Sequence, residues 1–189
     1  KKCTACHSVR YCSVKCQEDH RPQHKRACKK RAAELRDEIL FKQPESSHLG
    51  ECPICCLPHS LDVKSYTVMA CCSQKICNGC DYASQISEID ENCPFCRHPT
   101  PKNQEEANKK SMKRVEANDP VALRILAFKR YNEGDNESTI EYLTKAAELG
   151  DLVAHYELAN FYRDGEGVQK DRKKVIYHLE QAAIGGHPE

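Results

Sequence analysis

The feature that most constrains this chain is its cysteine content. Of its 189 residues 14 are Cys, and all of them lie before residue 97. Only 39% of the residues are apolar, 6% are aromatic and none is Trp, which leaves little material for one large core. Small sulfur-rich modules depend on disulfides or on metal ions for their stability. The regular Cys-x2-Cys pairs favour zinc over a disulfide framework, and thiolate-bound zinc favours a reducing compartment.

Charge and hydropathy exclude several classes of protein. Lys and Arg number 29 against 28 Asp and Glu, a net charge of +1, which excludes a uniformly basic nucleic-acid binder. No apolar run approaches the roughly 20 residues that cross a bilayer, so we predict no contact with a membrane. A basic run at 25–31 could bind phosphate, but the chain lacks a groove-reading helix signature and has few aromatic residues for base stacking. We therefore expect proteins, not nucleic acid, as partners, and an intracellular location in the cytoplasm or the nucleus.

Cysteine spacing, composition and periodicity divide the chain into five segments. It begins at Lys1 without an initiator Met and stops at Glu189 within a repeating pattern, so we expect a fragment of a longer multidomain protein. Two cysteine modules come first, and a cysteine-free helical pattern follows. The predicted segments are an incomplete zinc finger at 1–28, a helix and linker at 29–50, a second zinc finger at 51–101, a polar linker at 102–117 and helical repeats at 118–189.

The first module contains three pairs of metal-ligating residues with the short spacing of zinc chelates. Their order and their neighbours over residues 3–28 resemble the MYND zinc finger, a family that binds two zinc ions through interleaved ligands. The pairs are Cys3 with Cys6, Cys12 with Cys16, and His24 with Cys28.

The MYND resemblance implies one complete and one incomplete zinc site. In the family pattern the second site is formed by Cys12 and Cys16 together with a Cys pair that would lie upstream of Lys1. MYND fingers commonly bind proline-containing peptides, but Arg21 stands here where the family usually has Trp. The ligands of the complete site are then Cys3, Cys6, His24 and Cys28.

The second module contains eight cysteines in four pairs, with Cys56 left over. Four pairs at these spacings predict two zinc ions. Adjacent cysteines chelate one metal only with local strain, so the alternative that Cys71 or Cys72 is a bystander stays open, and the spacing to Cys77 favours Cys72. The four pairs are Cys52 with Cys55, Cys71 with Cys72, Cys77 with Cys80, and Cys93 with Cys96.

The stretch 51–98 resembles a RING finger of the all-cysteine variety. RING fingers usually recruit a ubiquitin-conjugating enzyme and hold its loaded thioester in a reactive conformation, without a catalytic residue of their own. The contact residues that the resemblance implies are Ile54 in the first pair, Pro94 in the last pair and Arg97 after it. The implied cross-brace assigns Cys52, Cys55, Cys77 and Cys80 to one zinc and Cys71, Cys72, Cys93 and Cys96 to the other.

The tail after residue 118 is internally repetitive. Its small and aliphatic residues recur at offsets of 32 and 36, which is typical of an α-solenoid built from helix pairs. Residues 142–151 and 162–171 resemble the Sel-like repeat, a relative of the tetratricopeptide repeat. That resemblance implies a surface that binds a peptide or a protein. At the first offset, Ala122, Leu126 and Ala127 recur as Ala154, Leu158 and Ala159.

The predicted architecture is therefore a MYND-like and a RING-like module of cross-braced α+β type, both stabilised by zinc, followed by an all-α solenoid. The function that fits best is a zinc-binding protein-interaction protein that acts as a RING-type ubiquitin ligase. The alternative is a non-catalytic zinc-finger scaffold or adaptor that mediates contacts between proteins.

Overall fold

The computed structural model describes residues 2–42, 48–86 and 92–188. The chain divides into two compact units, Lys1–Gln43 and Pro44–Glu189. Among the described residues, no helix combines the length and the apolar character needed to cross a membrane.

The first unit is a cysteine-rich turn followed by one long helix, α1, Val14–Leu40. The Ser13 side chain caps its first turn by accepting a hydrogen bond from the backbone N–H of Cys16. The helix expected over 29–43 is thus the second half of a 27-residue element that also carries His24 and Cys28. Pro22 lies inside the helix, where its ring supplies no N–H, and the helix continues past it.

The second unit begins with a small ββα module. Strands β1, Tyr66–Val68, and β2, Lys75–Cys77, pair in antiparallel fashion with Thr67 opposite Ile76. Ile76 is fully buried, and helix α2, Asn78–Ile86, follows β2 directly. The Thr67 hydroxyl donates a hydrogen bond to the Asp81 carboxylate of α2 at 3.0 Å, which joins helix and hairpin.

Five helices complete the second unit, and the sequence signals where each begins. An Asp side chain accepts a backbone N–H at the start of each of the last four, and Asn103 does so at the first. The segment predicted as a polar linker is itself helical over most of its length and packs against the next helix. The helices are α3, Gln104–Glu116; α4, Pro120–Asn132; α5, Asn136–Glu148; α6, Leu152–Asp164; and α7, Arg172–Ile184.

The repeats pack through alternating leucine and alanine side chains. Helix α4 packs chiefly against α5, and α6 against α7, while α5 also contacts α6. Leu123, Leu143 and Leu158 are fully buried, and the alanines between them let the helix axes approach closely. The predicted all-α solenoid of helix pairs is confirmed for this region.

Polar contacts join the ββα module to the helices within the second unit. The Ser73 side chain lies near Asp119, the cap of α4, and helps to lower the pKa of its carboxyl, and Asp119 also pairs with Arg114. Lys75 of β2 lies near the buried ion pair of Arg124 and Asp151, whose Nε and Oδ2 atoms are 3.0 Å apart. Burial, together with Arg124, lowers the pKa of Lys75, while Asp151 opposes this shift. The module therefore shares a charged, partly buried interface with the first repeat.

A histidine pair lies between α6 and α7. The Nδ1 atoms of His155 and His178 are 2.9 Å apart, so one ring donates and the other must be a neutral acceptor. His178 also stacks on Tyr162, with ring centroids 5.8 Å apart. Burial, together with nearby His155 and Lys174, lowers the pKa of His178 to about 4.

We expect this pair to make the stability of the repeats depend on pH. The folded pKa of His178 lies below that of the unfolded chain, so its contribution is present at neutral pH and is lost as pH falls from about 6.5 towards 4. The melting temperature of His178→Gln should therefore fall less than that of the unchanged protein between pH 7 and pH 5. Loss of zinc at low pH affects both proteins equally. Equal falls in the two proteins would contradict the assignment.

Candidate metal centres

Three groups of four metal-ligating side chains occur in the described part of the chain. In each group all four ligand atoms lie within 4.8 Å of one another. Every Cys of the chain is a free thiol. The groups are Cys3, Cys6, His24 and Cys28; Cys52, Cys55, Cys77 and Cys80; and Cys71, Cys72, Cys93 and Cys96.

The first group joins the N-terminal turn to helix α1. Cys3 and Cys6 come from the turn and are buried, whereas His24 and Cys28 lie one helical turn apart on α1. The Sγ atoms of Cys3 and Cys28 are 3.6 Å apart, and Cys6 Sγ is 3.2 Å from His24 Nε2. Tyr11 is buried against these cysteines. The helix therefore begins early enough to supply half of the ligands.

The other two groups interleave. The group of Cys52 and Cys55 takes its second pair from the end of β2 and the start of α2, while the intervening Cys71 and Cys72 join the last pair in the chain. The Sγ atoms of Cys55 and Cys77 are 3.8 Å apart, as are those of Cys72 and Cys93. Two four-cysteine clusters are thereby braced across one ββα hairpin module.

One backbone turn recurs at three of the four Cys-x2-Cys pairs, those that begin with Cys3, Cys52 and Cys93. The residue after the second Cys has a positive φ and donates its N–H to the carbonyl of the first Cys, at 2.8–3.0 Å. The N–H of the first Cys in turn bonds a carbonyl just beyond the turn, closing a short loop around the ligands. The residues with positive φ are His7, Cys56 and Arg97, with φ of 54°, 57° and 59°.

This turn accounts for the leftover Cys56. It occupies the left-handed position after Cys55, is exposed, and belongs to none of the three groups. The same turn also resolves the adjacent pair. Ser73, with φ 58°, donates to the carbonyl of Met69 at 2.8 Å, so Cys72 is in the place of a second Cys and Met69 in that of a first.

Both members of the adjacent pair lie in the third group. Because Met69 occupies the first position of the turn, Cys71 reaches the cluster from inside it, and its Sγ lies 3.3 Å from that of Cys96. Burial raises the pKa of Cys71, and neighbouring Cys96 and Cys93 raise it further. The spacing alone favoured Cys72, and the structure brings both thiols together.

Backbone amides stabilise the first thiolate of the three pairs that share this turn. Those of Cys6 and Ala5, aided by His24, lower the pKa of Cys3 to about 6. Burial works against ionisation of Cys52, but the amides of Cys77, Cys55 and Ile54 outweigh it and bring its pKa to about 6. Since the thiolate is the form that binds metal, these turns prepare the ligands for a cation.

The donor sets fit zinc. Tetrahedral zinc with Zn–S bonds of about 2.3 Å places its sulfurs about 3.8 Å apart. The Sγ separations of 3.6 Å and 3.8 Å match this value. Four thiolates, or three and one imidazole, are the usual ligand sets of structural zinc, with no open position for a substrate. The chemistry of these groups is therefore structural, not catalytic.

Cys12 and Cys16 stay outside the three groups. Cys12 is exposed and Cys16 half-buried. A hydrogen bond between the two thiols lowers the pKa of Cys12 and raises that of Cys16. Within the described residues they form only a pair, as the sequence predicted for an incomplete site.

Sequence reasoning missed His59. Its side chain is 5% exposed, packs on Tyr66, and has no hydrogen-bond partner on either ring nitrogen among the described residues. Burial and nearby Lys75 lower its pKa, so the ring is neutral at pH 7. It is a core residue of the second module and belongs to none of the three ligand groups.

Comparison with known proteins identifies two of the modules. Residues 1–28 match the MYND finger, and residues 120–151 and 152–187 match the Sel1 repeat. The chain carries a MYND finger and two Sel1 repeats. Both are generally protein-interaction modules, and the MYND match together with the three clusters points to zinc as the metal. These matched ranges do not include 51–98, so the RING resemblance rests on its residues and their geometry.

One curated relative shares a short region with this chain. It is the "Exopolysaccharide production negative regulator" of Rhizobium leguminosarum bv. viciae, which is 40% identical over 52 residues. The shared region is 28% of this chain and 20% of the relative, so the chain spans about a fifth of the length of that protein.

We expect zinc content to separate ligands from bystanders. Cys71→Ser and Cys72→Ser should each lose about one equivalent of zinc, because a structural site needs all four ligands. Cys56→Ser is the matched control and should keep the full content, since Cys56 is exposed and belongs to none of the three groups. Native mass spectrometry of the zinc-loaded variants measures the number of zinc ions that each one binds. Full zinc in Cys71→Ser would make Cys71 a bystander.

Proposed function

We propose that this protein is a zinc-dependent protein-interaction protein whose second module acts as a RING-type ubiquitin ligase. The observation that carries the proposal is the interleaving of two four-cysteine groups across one ββα hairpin module. The metal content that we propose is two zinc ions in this module, one in the complete MYND site, and the incomplete pair of Cys12 and Cys16. Such thiolate sites suit a reducing, intracellular compartment.

The exposure of the three contact residues supports recruitment of a conjugating enzyme. Ile54 lies between the first two cysteines of the module with 46% of its surface exposed. Pro94 lies directly after the first cysteine of the last pair, at the place that Pro53 has in the first pair, and is half-buried. An apolar residue held on each metal-bound turn offers a rigid contact surface whose binding costs little conformational entropy.

Arg97 is placed to act on a loaded conjugating enzyme. It follows Cys96 in the left-handed position, so the metal-bound turn determines where its exposed side chain begins. A guanidinium can donate to two carbonyl groups at once. Donation of this kind holds the donor ubiquitin against the conjugating enzyme, which raises the rate by positioning the thioester. No residue of the module needs to form a covalent bond.

The test is ubiquitin-chain formation by the zinc-loaded chain with a panel of conjugating enzymes. Ile54→Ala and Arg97→Ala should each reduce chain formation by about tenfold or more, as truncation of central contact residues does. Leu149→Ala and Arg163→Ala are matched controls, because they remove exposed side chains of the same kinds from the repeats. Both should leave chain formation unchanged.

The outcomes distinguish the ligase from an adaptor. Chains lost in both module variants and retained in both controls support the ligase. No chains with any enzyme, from a protein shown to hold its zinc, would support the non-catalytic adaptor instead. Chain formation unchanged in all four variants would mean that it comes from a contaminating activity, and equal losses in module and control variants would count against a role of the Ile54 and Arg97 surface.

A further inference from the structure

We propose that a groove in the first unit, between the Cys3–Cys6 turn and helix α1, binds an extended peptide whose alternate side chains are acidic. This inference goes beyond ubiquitin transfer and does not depend on it. The cavity that contains the groove has a volume of about 570 Å³, and because Cys3, His24 and Cys28 of the first metal-ligating group also line it, a bound metal takes up part of this volume. Thr4 and Ala5 of the turn line one side, and α1 lines the other from Val14 to Ala32.

The groove has apolar surface that a partner could cover. Val14, at the start of α1, lines the groove and has 67% of its surface exposed. Ala5 of the turn and Ala32 of α1 also line it. Small side chains on both walls leave room for a backbone to lie between them. Covering Val14 supplies an apolar contribution to binding.

Three cations form one edge of this groove. Arg21, Lys25 and Lys29 are all exposed and recur every four residues, so they share one face of α1. Glu18 is the acidic residue that lines the groove with them. This edge therefore presents three positive charges against one negative charge.

The acidic residues farther along α1 do not neutralise this edge. Arg31 Nη1 lies 3.1 Å from Glu34 and 2.9 Å from Glu38, and Arg36 pairs with its neighbour Asp37. Over residues 1–43 there are 12 Lys and Arg against 5 Asp and Glu. The excess positive charge of the unit thus includes the groove edge, where it attracts an acidic partner.

The spacing of the cations selects an alternating pattern. Four residues of helix advance about 6 Å, and two residues of an extended strand advance about 6.6 Å. Acidic side chains at every second peptide position therefore match Arg21, Lys25 and Lys29 in turn. The side chains between them point the other way, towards the wall that contains Ala5. An apolar residue suits those positions.

The groove fits a peptide better than a nucleic acid. Tyr11, the lining phenol ring that could stack on a base, is 7% exposed, and its hydroxyl hydrogen-bonds His20 at 3.1 Å. Arg21 stands where MYND fingers usually have Trp, so an aromatic platform is replaced by a charge. That replacement shifts the preference of this groove from proline-containing to acidic peptides.

The test is fluorescence polarisation with the zinc-loaded chain and a labelled pentapeptide of alternating Asp and Leu. The control peptide carries Asn at every Asp position. We expect the Asp peptide to bind at least about tenfold more tightly at low salt, because three exposed ion pairs contribute to its affinity, and the difference to shrink as salt is added. Equal affinities would overturn the proposal.

Two charge-reversed proteins locate the site. Lys25→Glu with Lys29→Glu reverses the groove edge and should weaken the Asp peptide by about tenfold or more. Arg26→Glu with Lys30→Glu makes the same change of net charge at exposed positions that do not line the groove. This second double variant should weaken binding of the Asp peptide much less. Equal weakening would mean that net charge alone attracts the peptide.

Two further measurements keep the result decisive. Because Lys25 and Lys29 adjoin zinc ligands, bound zinc and helix content are measured for both doubles, and Arg21→Ala serves as a milder groove variant with the same expected direction. A five-nucleotide single strand is the competitor. If it binds more tightly than the Asp peptide and depends on the same groove cations, the groove binds nucleic acid and the proposal is wrong.

Discussion

Coordination of one cation by four side chains is the interaction on which the cysteine modules depend. In the second module Ile76 and Cys52 are fully buried, and so is Cys93, so sulfur atoms take the place of much of an apolar core. Structural zinc contributes on the order of 10–16 kcal/mol of apparent binding free energy in small fingers. That contribution exceeds what burial of a few small side chains can supply in a module of this size. The interleaving would then spread this stabilisation over the whole ββα unit, because each four-cysteine group joins residues far apart in the chain.

The metal also explains the backbone strain around it. His7, Cys56, Ser73 and Arg97 all have positive φ, a conformation that costs a residue with a side chain about 1–2 kcal/mol. The strain is tolerated because the turn directs backbone amides at a thiolate and closes the chelate. A spare cysteine, Cys56, and the arginine that we propose as a contact residue, Arg97, are thus two occupants of one structural position. What distinguishes them is hydrogen-bonding capacity, since a guanidinium has five N–H donors and a thiol has at most one weak donor.

Ligand pairs and helix starts could be predicted from the sequence because both are local, whereas the grouping of the pairs followed from the MYND and RING resemblances. Pairs with two or three residues between them chelate without long-range closure, and an Asp before an apolar helix is a cap whatever surrounds it. The role of Cys71 could not be predicted, because it depends on Met69 taking a cysteine position in a turn that spacing does not reveal. The early start of α1 was also missed. Its first half is polar and contains Pro22, which argues against a helix. This part is helical because His24 and Cys28 join the first metal-ligating group from positions on the helix.

Helix α3 shows how tertiary contacts override composition. Its sequence is polar enough to predict a linker, yet Val115 packs on the core of the repeats and Arg114 pairs with the cap of α4. Ser73 reaches that same cap from the zinc-binding turn, and Lys75 from β2 lies beside Arg124 and Asp151. A proposed ligase module and the first Sel1 repeat are therefore held in one compact unit. A protein bound on the repeats would be presented to the conjugating enzyme at a defined distance, so geometry, as well as affinity, would select which of its lysines is modified.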